Sequence, residues 1–181
     1  IGETDYELAV TTHRKDNGDP PLIAALEAND EESAMALLDG GDDPNEVDGC
    51  GRNALHSAAI EGCRQPLFNR ILAMIHHVNA GDNDGYTALM MAAIYNQLDV
   101  LISLLNHPEI DVNFQGRYNY TALHLAVLDN HPAIVAQLLS DPRIDSGLKD
   151  KEHNRPPLKD AIDMEHHECV KLLREHGAPQ E

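Results

Sequence analysis

The feature that most constrains the fold of this chain is a motif that recurs about every 34 residues. The segment TALHLAVLDNHPAIVAQLLS, residues 121–140, matches TALMMAAIYNQLDVLISLLN, which begins 34 residues earlier, in its opening tripeptide, its small residues and its paired leucines. Five copies are present, at intervals of 33, 34, 34 and 35 residues, and their anchor residues are Leu22, Leu55, Leu89, Leu123 and Leu158. Such a period indicates a solenoid, because one unit is too short to bury its own apolar face.

Each copy has the pattern of two helices. Small residues such as Ala58 and Ala92 follow the anchor leucine, at positions where two helices have to approach closely. A second apolar run then ends in paired leucines, as at Leu104 and Leu105, and its spacing is helical. The links between copies, such as HPEIDVNFQGRYN, are polar and rich in turn residues. We expect these links to project as loops or short two-stranded fingers.

The repeated unit resembles the ankyrin repeat. The family pattern D-x-x-G-x-T-P-L-H-x-A-A, then a helix ending in L-L, then G-A-D-V-N, is matched by DNDGYTALMMAA, LISLL and IDVN of the third copy. The resemblance implies an all-α solenoid of helix-turn-helix units with β-hairpin or loop fingers. The five expected repeats are 15–47, 48–81, 82–114, 115–148 and 149–179.

Both ends of the array depart from the repeated pattern. Residues 1–14 precede the first copy and are expected to form an N-terminal capping segment, because TDYE at residues 4–7 fits a capping box. The fifth copy has Lys159 where the motif has histidine and Pro156 where it has threonine. These changes remove hydrogen-bonding side chains, as expected for a terminal repeat that contacts one neighbour.

Composition bounds the setting and the partner. The net charge is −18, from 31 acidic residues against 13 lysines and arginines. This charge repels phosphate backbones and anionic lipids, so we expect no direct nucleic-acid or membrane binding and a protein partner of basic or mixed charge. The alternative is that the acidic surface serves solubility alone.

Several features favour an intracellular protein that is cytoplasmic, nuclear or both. The three cysteines are unevenly spaced, and no signal peptide or membrane span is evident. The chain begins with Ile1 rather than methionine, which favours a fragment of a longer protein.

No residue pattern predicts catalysis, a cofactor or a metal site. The family resemblance implies that His56 and His124 bond between neighbouring units and that His131 and His166 begin second helices. The densest cluster of nitrogen and sulfur ligands, HHEC at residues 166–169, offers two ligands on nearby turns, which do not close a zinc site. Cys169 also falls on an apolar helix position, so we expect it in the core. Nucleophile elbows and phosphate-binding glycine loops are absent, so we expect no enzyme.

The positions that differ between copies are the candidates for function, because the family resemblance implies that finger tips and part of the inner helix line one concave face. Four of the five tyrosines fall on such positions, and none of the four is expected to fill the core. Tyrosine is favoured at protein interfaces, although isolated surface tyrosines are also common without function. The predicted partner-binding residues are Arg52, Ile60, Tyr86, Ile94, Tyr95, Arg117, Tyr118, Tyr120, Leu128 and Arg155.

Two functional hypotheses follow. The first is a non-catalytic protein–protein interaction module, acting as an acidic masking inhibitor, similar to the inhibitor-of-kappa-B type, of a basic partner such as a transcription factor. The alternative is a regulatory or targeting ankyrin domain of a larger enzyme, channel or pathogen effector. In addition, Asn113 lies eight residues after Leu105 in a setting that resembles sites of asparaginyl hydroxylation in this family, although the motif also uses this residue structurally.

Overall fold

Ten α-helices in five consecutive pairs form residues 18–179, the part of the chain that the computed structural model describes. The first helices of the pairs are α1 (Pro21–Glu27), α3 (Ala54–Glu61), α5 (Ala88–Ile94), α7 (Ala122–Leu128) and α9 (Pro157–Asp163). The second helices are α2 (Glu31–Gly40), α4 (Gln65–Met74), α6 (Leu98–Leu105), α8 (Pro132–Leu139) and α10 (His167–Glu175). None of these helices is long and apolar enough to cross a bilayer. The predicted capping segment, residues 1–14, lies outside the described residues.

The helices form two layers. Each first helix packs against the first helix of the next pair, and each second helix packs against the next second helix. We call α1, α3, α5, α7 and α9 the inner row and the other five helices the outer row. The fingers that join successive pairs are loops, with one isolated bridge between Gly81 and Thr87 within residues 18–179. The predicted all-α solenoid is therefore confirmed.

Local sequence sets where the helices begin and end. The side chains of Asn53, Thr87 and Thr121 each accept a hydrogen bond from a backbone N–H in the first turn of the inner helix that follows. Such caps satisfy donors that the helix itself leaves unpaired. A residue with positive φ follows every inner helix and turns the chain toward the outer row. These residues are Asn29, Gly62, Asn96, Asn130 and Glu165.

Small and branched apolar side chains form a continuous core between the two rows. Ala58, Ala92 and Ala126 are fully buried, which confirms that alanine lies where inner helices approach one another. Leu104 and Leu138 of the outer row are also fully buried. Truncating a buried leucine to alanine typically costs about 2–5 kcal/mol, so these contacts dominate the stability of each repeat.

Three asparagines spaced by 34 residues, Asn45, Asn79 and Asn113, tie the loops of successive repeats together. The Asn79 amide donates to the backbone carbonyl of Glu109 at 2.7 Å and accepts from the backbone N–H of Asp111 at 2.8 Å. Asn45 and Asn113 make the same pair of bonds to the loop that follows each of them. We call these three residues the asparagine ladder.

Asn79→Ala is expected to lower the free energy of unfolding by about 2 kcal/mol, because it removes two hydrogen bonds that join neighbouring repeats. Chemical denaturation monitored by circular dichroism measures the change. The matched control is Asn106→Ala, which changes an exposed asparagine at the end of α6. Equal destabilisation by the two substitutions would contradict the role assigned to the ladder.

Candidate functional site

Two buried histidines link each of two inner helices to the following finger. The Nδ1 atom of His124 accepts from the hydroxyl of Thr121 at 2.8 Å, and its Nε2 lies 3.3 Å from the backbone oxygen of Arg155. Nε2 of His56 likewise lies 3.1 Å from the backbone oxygen of Tyr86. Burial lowers the pKa of both imidazoles. The predicted bonding of His56 and His124 between neighbouring units is therefore confirmed.

Two further histidines close the C-terminal ends of inner helices. His131 precedes α8 and its Nε2 lies 2.9 Å from the carbonyl oxygen of Ile94. His166 precedes α10 and its Nδ1 lies 2.8 Å from the carbonyl oxygen of Val127. Both residues belong to the repeat that follows the helix they contact. Cys169 is fully buried, which confirms its expected place in the core.

One group of side chains has the composition of a metal site. Ligand-type atoms of His124, Asp150 and Asp160 lie within 4.8 Å of one another, and all three residues are buried. Protein partners already engage these atoms: Nε of Arg155 lies 3.1 Å from Oδ1 of Asp160, and Asp150 accepts backbone N–H groups from finger residues. The arrangement is that of a buried ion pair linking the last finger to α9.

The two carboxylates of this group respond differently to burial. Burial raises the pKa of Asp160, although Arg155 acts in the opposite direction. Burial also acts against the charged form of Asp150, but hydrogen bonds from the backbone of His153 and Arg155 outweigh it and lower its pKa. The sequence analysis did not single out this group. Its signal was Asp160, a charge at an inner-helix position where an earlier copy carries Leu125.

The four tyrosines predicted to face outward divide into two pairs. Tyr95 is 49% exposed and Tyr118 is 47% exposed, so both present most of a ring edge to solvent. Tyr86 and Tyr120 are half-buried and pack against the core, which corrects the expectation that none of the four contributes to it. Burial and a hydrogen bond to Glu152 raise the pKa of Tyr120 to about 12. The reason is that the residue before each cap packs under the finger.

The predicted arginine rim is engaged in ion pairs between fingers. Nε of Arg52 lies 3.6 Å from Oδ2 of Asp82, which belongs to the next finger. Arg117 pairs with Asp84 of the preceding finger, and Arg155 pairs with acids of its own repeat. The three arginines therefore hold the fingers in register, and Arg117 is the most exposed of them.

Apolar and acidic positions alternate along the exposed ends of the inner helices. The predicted residues Ile60, Ile94 and Leu128 are half-buried and lie at corresponding positions of three successive repeats. The next residue along the chain is exposed in every repeat, and acidic in four of five. We call these residues the C-terminal row: Glu27, Glu61, Tyr95, Asp129 and Asp163.

The C-terminal row makes the ends of the inner helices strongly negative. A helix C-terminus already carries a partial negative charge, and basic residues there are stabilising. None of the five inner helices has a basic residue in its last turn. Asp163 is paired with Lys159 at 2.7 Å, whereas Glu61 and Asp129 form no ion pair with another described residue. Their position therefore favours a cation from outside the described part of the chain.

Comparison with known proteins identifies relatives of this array. A family model described as "Ankyrin repeats (3 copies)" matches residues 22–116, 65–150 and 109–180. The chain is 36% identical to NF-kappa-B inhibitor alpha of Sus scrofa over 122 residues, which is 64% of this chain and 38% of that protein. It is 36% identical to the photoreceptor ankyrin repeat protein of Homo sapiens over 94 residues, 48% of this chain and 20% of that protein.

A third relative is the neurogenic locus notch homolog protein 4 of Homo sapiens, 33% identical over 81 residues. That match covers 45% of this chain and 4% of the relative. The chain thus spans less than two-fifths of the length of each of these three proteins.

Lowering the pH from 7.5 to 5.5 is expected to destabilise the fold partly through His124. Its folded pKa is lowered from 6.5, so its contribution is fully present above 6.5 and is lost as the pH falls toward the folded pKa. His124→Gln removes this titration, so the variant should lose less stability over the same pH interval, by about 1 kcal/mol.

Denaturant unfolding of both proteins at the two pH values measures this difference. His167→Gln, at an exposed position of α10, is the control and should keep the pH dependence of the parent. An identical pH dependence in His124→Gln and the parent would show that His124 does not titrate in this interval.

Proposed function

The chain belongs to the ankyrin-repeat family, and from this premise we propose that it is a non-catalytic module that binds a protein partner. The proposed binding surface comprises the fingers and the exposed ends of the inner row, which form the concave face in arrays of this kind. Recognition is by shape, by exposed tyrosines and by charge, and requires no cofactor. Repeats of this family mediate protein–protein interactions, which supports the general assignment.

The observation that carries this proposal is the position of Tyr95. Its ring is 49% exposed in the middle repeat, at the centre of the C-terminal row. Half-buried Ile60, Ile94 and Leu128 provide apolar contact area beside it. A rigid aromatic side chain surrounded by partly buried apolar residues and a polar rim is typical of a binding hot spot.

The charge of the same surface favours a basic segment as the occupant. Glu61 and Asp129 lie on either side of Tyr95 in the C-terminal row and are exposed. Each lies at the negative end of a helix, where a carboxylate is unfavourable to the fold by a few tenths of a kcal/mol or more. Lysine or arginine side chains of a partner would compensate both the carboxylates and the helix ends.

The relatives suggest what such binding serves. One relative is named as an inhibitor of NF-kappa-B, and this supports a masking inhibitor that covers a basic segment of a transcription factor in the cytoplasm or nucleus. The alternative is a regulatory or targeting domain within a larger enzyme, channel or pathogen effector. The short share of each relative that the chain covers is compatible with this second role.

Hydroxylation of Asn113 is a separate proposal about modification. Its side-chain amide bonds the loop of the next repeat, as the amides of Asn45 and Asn79 do. A hydroxyl group on the Cβ atom leaves both amide bonds chemically intact, so the modification and the structural role are compatible.

Tyr95→Ala is expected to weaken partner binding by about 2 kcal/mol or more, roughly 30-fold in Kd, without loss of folding, because the ring is exposed. Affinity capture followed by mass spectrometry identifies partners of the parent, and titration calorimetry then measures Kd for each variant. Met74→Ala is the control, since Met74 is 37% exposed at the end of an outer-row helix. Unchanged affinity in Tyr95→Ala would remove Tyr95 as the anchor.

The double substitution Glu61→Gln and Asp129→Gln is expected to reduce the association rate with a basic partner and to reduce its dependence on salt. Stopped-flow measurements between about 50 and 500 mM NaCl test this, because screening by salt acts on long-range attraction. Glu168→Gln and Glu175→Gln, which remove the same charge from α10, are the control. If both doubles lower the rate equally, net charge and not the C-terminal row steers the partner.

A further inference from the structure

The fourth finger departs from the other described fingers at its first residue. Asp48, Asp82 and Asp150 each begin a finger and accept two backbone N–H groups of their own turn. The corresponding residue of the fourth finger is Gly116, which has no side chain to accept these bonds. Its turn is closed by the backbone N–H of Asn119 donating to the carbonyl of Gly116 at 3.0 Å.

This turn holds a bulky aromatic residue in an unfavourable backbone conformation. Tyr118 has φ 58° and ψ 21°, and the next residue, Asn119, has φ 60°. Left-handed conformations suit glycine and asparagine and are unfavourable for bulky side chains. Every other described residue with positive φ is glycine or asparagine except Glu165. Strained positions of this kind persist where function requires them, which makes Tyr118 a candidate binding residue.

Neighbouring fingers hold the strained turn in place. A Cβ atom at Gly116 would collide with the carbonyl oxygen of Gly85, so glycine allows the third and fourth fingers to pack closely. On the other side, the carbonyl oxygen of Tyr118 accepts a hydrogen bond from the backbone N–H of Lys151 at 2.6 Å. The ring of Tyr118 is therefore pre-positioned between two fingers, so little entropy is lost when a partner binds it.

The surface beside this ring is locally positive in a strongly acidic protein. Arg117, Tyr118, Lys151 and Glu152 line a cleft between the fourth and fifth fingers. The guanidinium of Arg117 lies 5.0 Å from the centre of the Tyr118 ring. Lys149 and Lys151 are exposed, and neither forms an ion pair with a residue in the range 18–179.

Most of the acids near the cleft are already paired. Arg117 is paired with Asp84, and Glu152 accepts a hydrogen bond from the hydroxyl of Tyr120 at 3.2 Å. The ammonium groups of Lys149 and Lys151 thus remain for an external anion beside an exposed aromatic ring.

We propose that the cleft beside Tyr118 binds an acidic side chain, aspartate or glutamate, of the protein partner. Lys149 and Lys151 supply the cations, and the ring of Tyr118 covers the aliphatic part of that side chain. The inference rests on the proposed function, and it defines the partner as one of mixed charge. Its basic part contacts the C-terminal row, and its acidic part contacts the fourth and fifth fingers.

Two synthetic peptides test this separately from the proposed function. Hexaglutamate and hexalysine are titrated into the ¹⁵N-labelled chain, and amide shifts locate each peptide. Hexaglutamate should shift the amides of residues 117, 118 and 149–152, whereas hexalysine should shift those around Glu61, Tyr95 and Asp129. Hexalysine binding without a localised effect of hexaglutamate would overturn the present inference alone. The reverse result would overturn the basic contact in the proposed function and leave the cleft.

Substitutions then identify the groups that bind. Lys149→Gln with Lys151→Gln should weaken hexaglutamate binding at least about fivefold, whereas Lys171→Gln, on α10, should leave it unchanged. An equal effect of the two changes would show non-specific attraction and overturn the proposal.

Tyr118→Asn has a second readout that a merely structural residue would not give. It should weaken hexaglutamate binding while Tm stays the same or rises by about 2 °C, because asparagine suits the left-handed conformation. Tyr120→Asn is the comparison and should lower Tm, since Tyr120 packs against the core. A lower Tm with unchanged peptide binding in Tyr118→Asn would overturn the role assigned to this ring.

Discussion

The burial of leucine and alanine side chains between neighbouring repeats is the interaction on which the whole molecule depends. A single helix pair has an apolar face on each side and cannot cover either alone, so its stability comes largely from the pair before it and the pair after it. Fully buried Ala58, Ala92 and Ala126 let inner helices approach, while Leu104 and Leu138 fill the space between rows. Because packing uses the inward positions, the outward positions are free to differ from repeat to repeat.

Polar links add register to this packing. Histidines at the helix starts, the asparagine ladder and the ion pairs between fingers each join one repeat to the next. Packing between smooth apolar faces would tolerate sliding, whereas a hydrogen bond between two named atoms is satisfied at one offset only. The binding surface inherits this order, since Tyr95, Glu61 and Asp129 are held on the ends of rigid helices.

The repeat period and the position of small residues were sufficient to predict the fold, because both follow directly from nearest-neighbour packing. They also predicted the links made by His56 and His124. The sequence did not reveal that Tyr86 and Tyr120 lean on the core, because period 34 identifies a position but not the direction of a side chain. The unusual turn at Tyr118 and the buried pair of Asp150 and Asp160 also depend on contacts between fingers. Only the departures at Gly116 and Asp160 marked them in the sequence.

The asparagine ladder also determines how the protein ages. Spontaneous hydrolysis of a side-chain amide converts asparagine to aspartate, which replaces the donating NH₂ group with a carboxylate oxygen. At Asn79 that oxygen would face the carbonyl oxygen of Glu109, 2.7 Å from the original donor, so attraction would become repulsion. Each rung joins one pair of loops, so such damage would loosen one junction and leave the others intact. Chemical lifetime in this fold is therefore a property of single junctions.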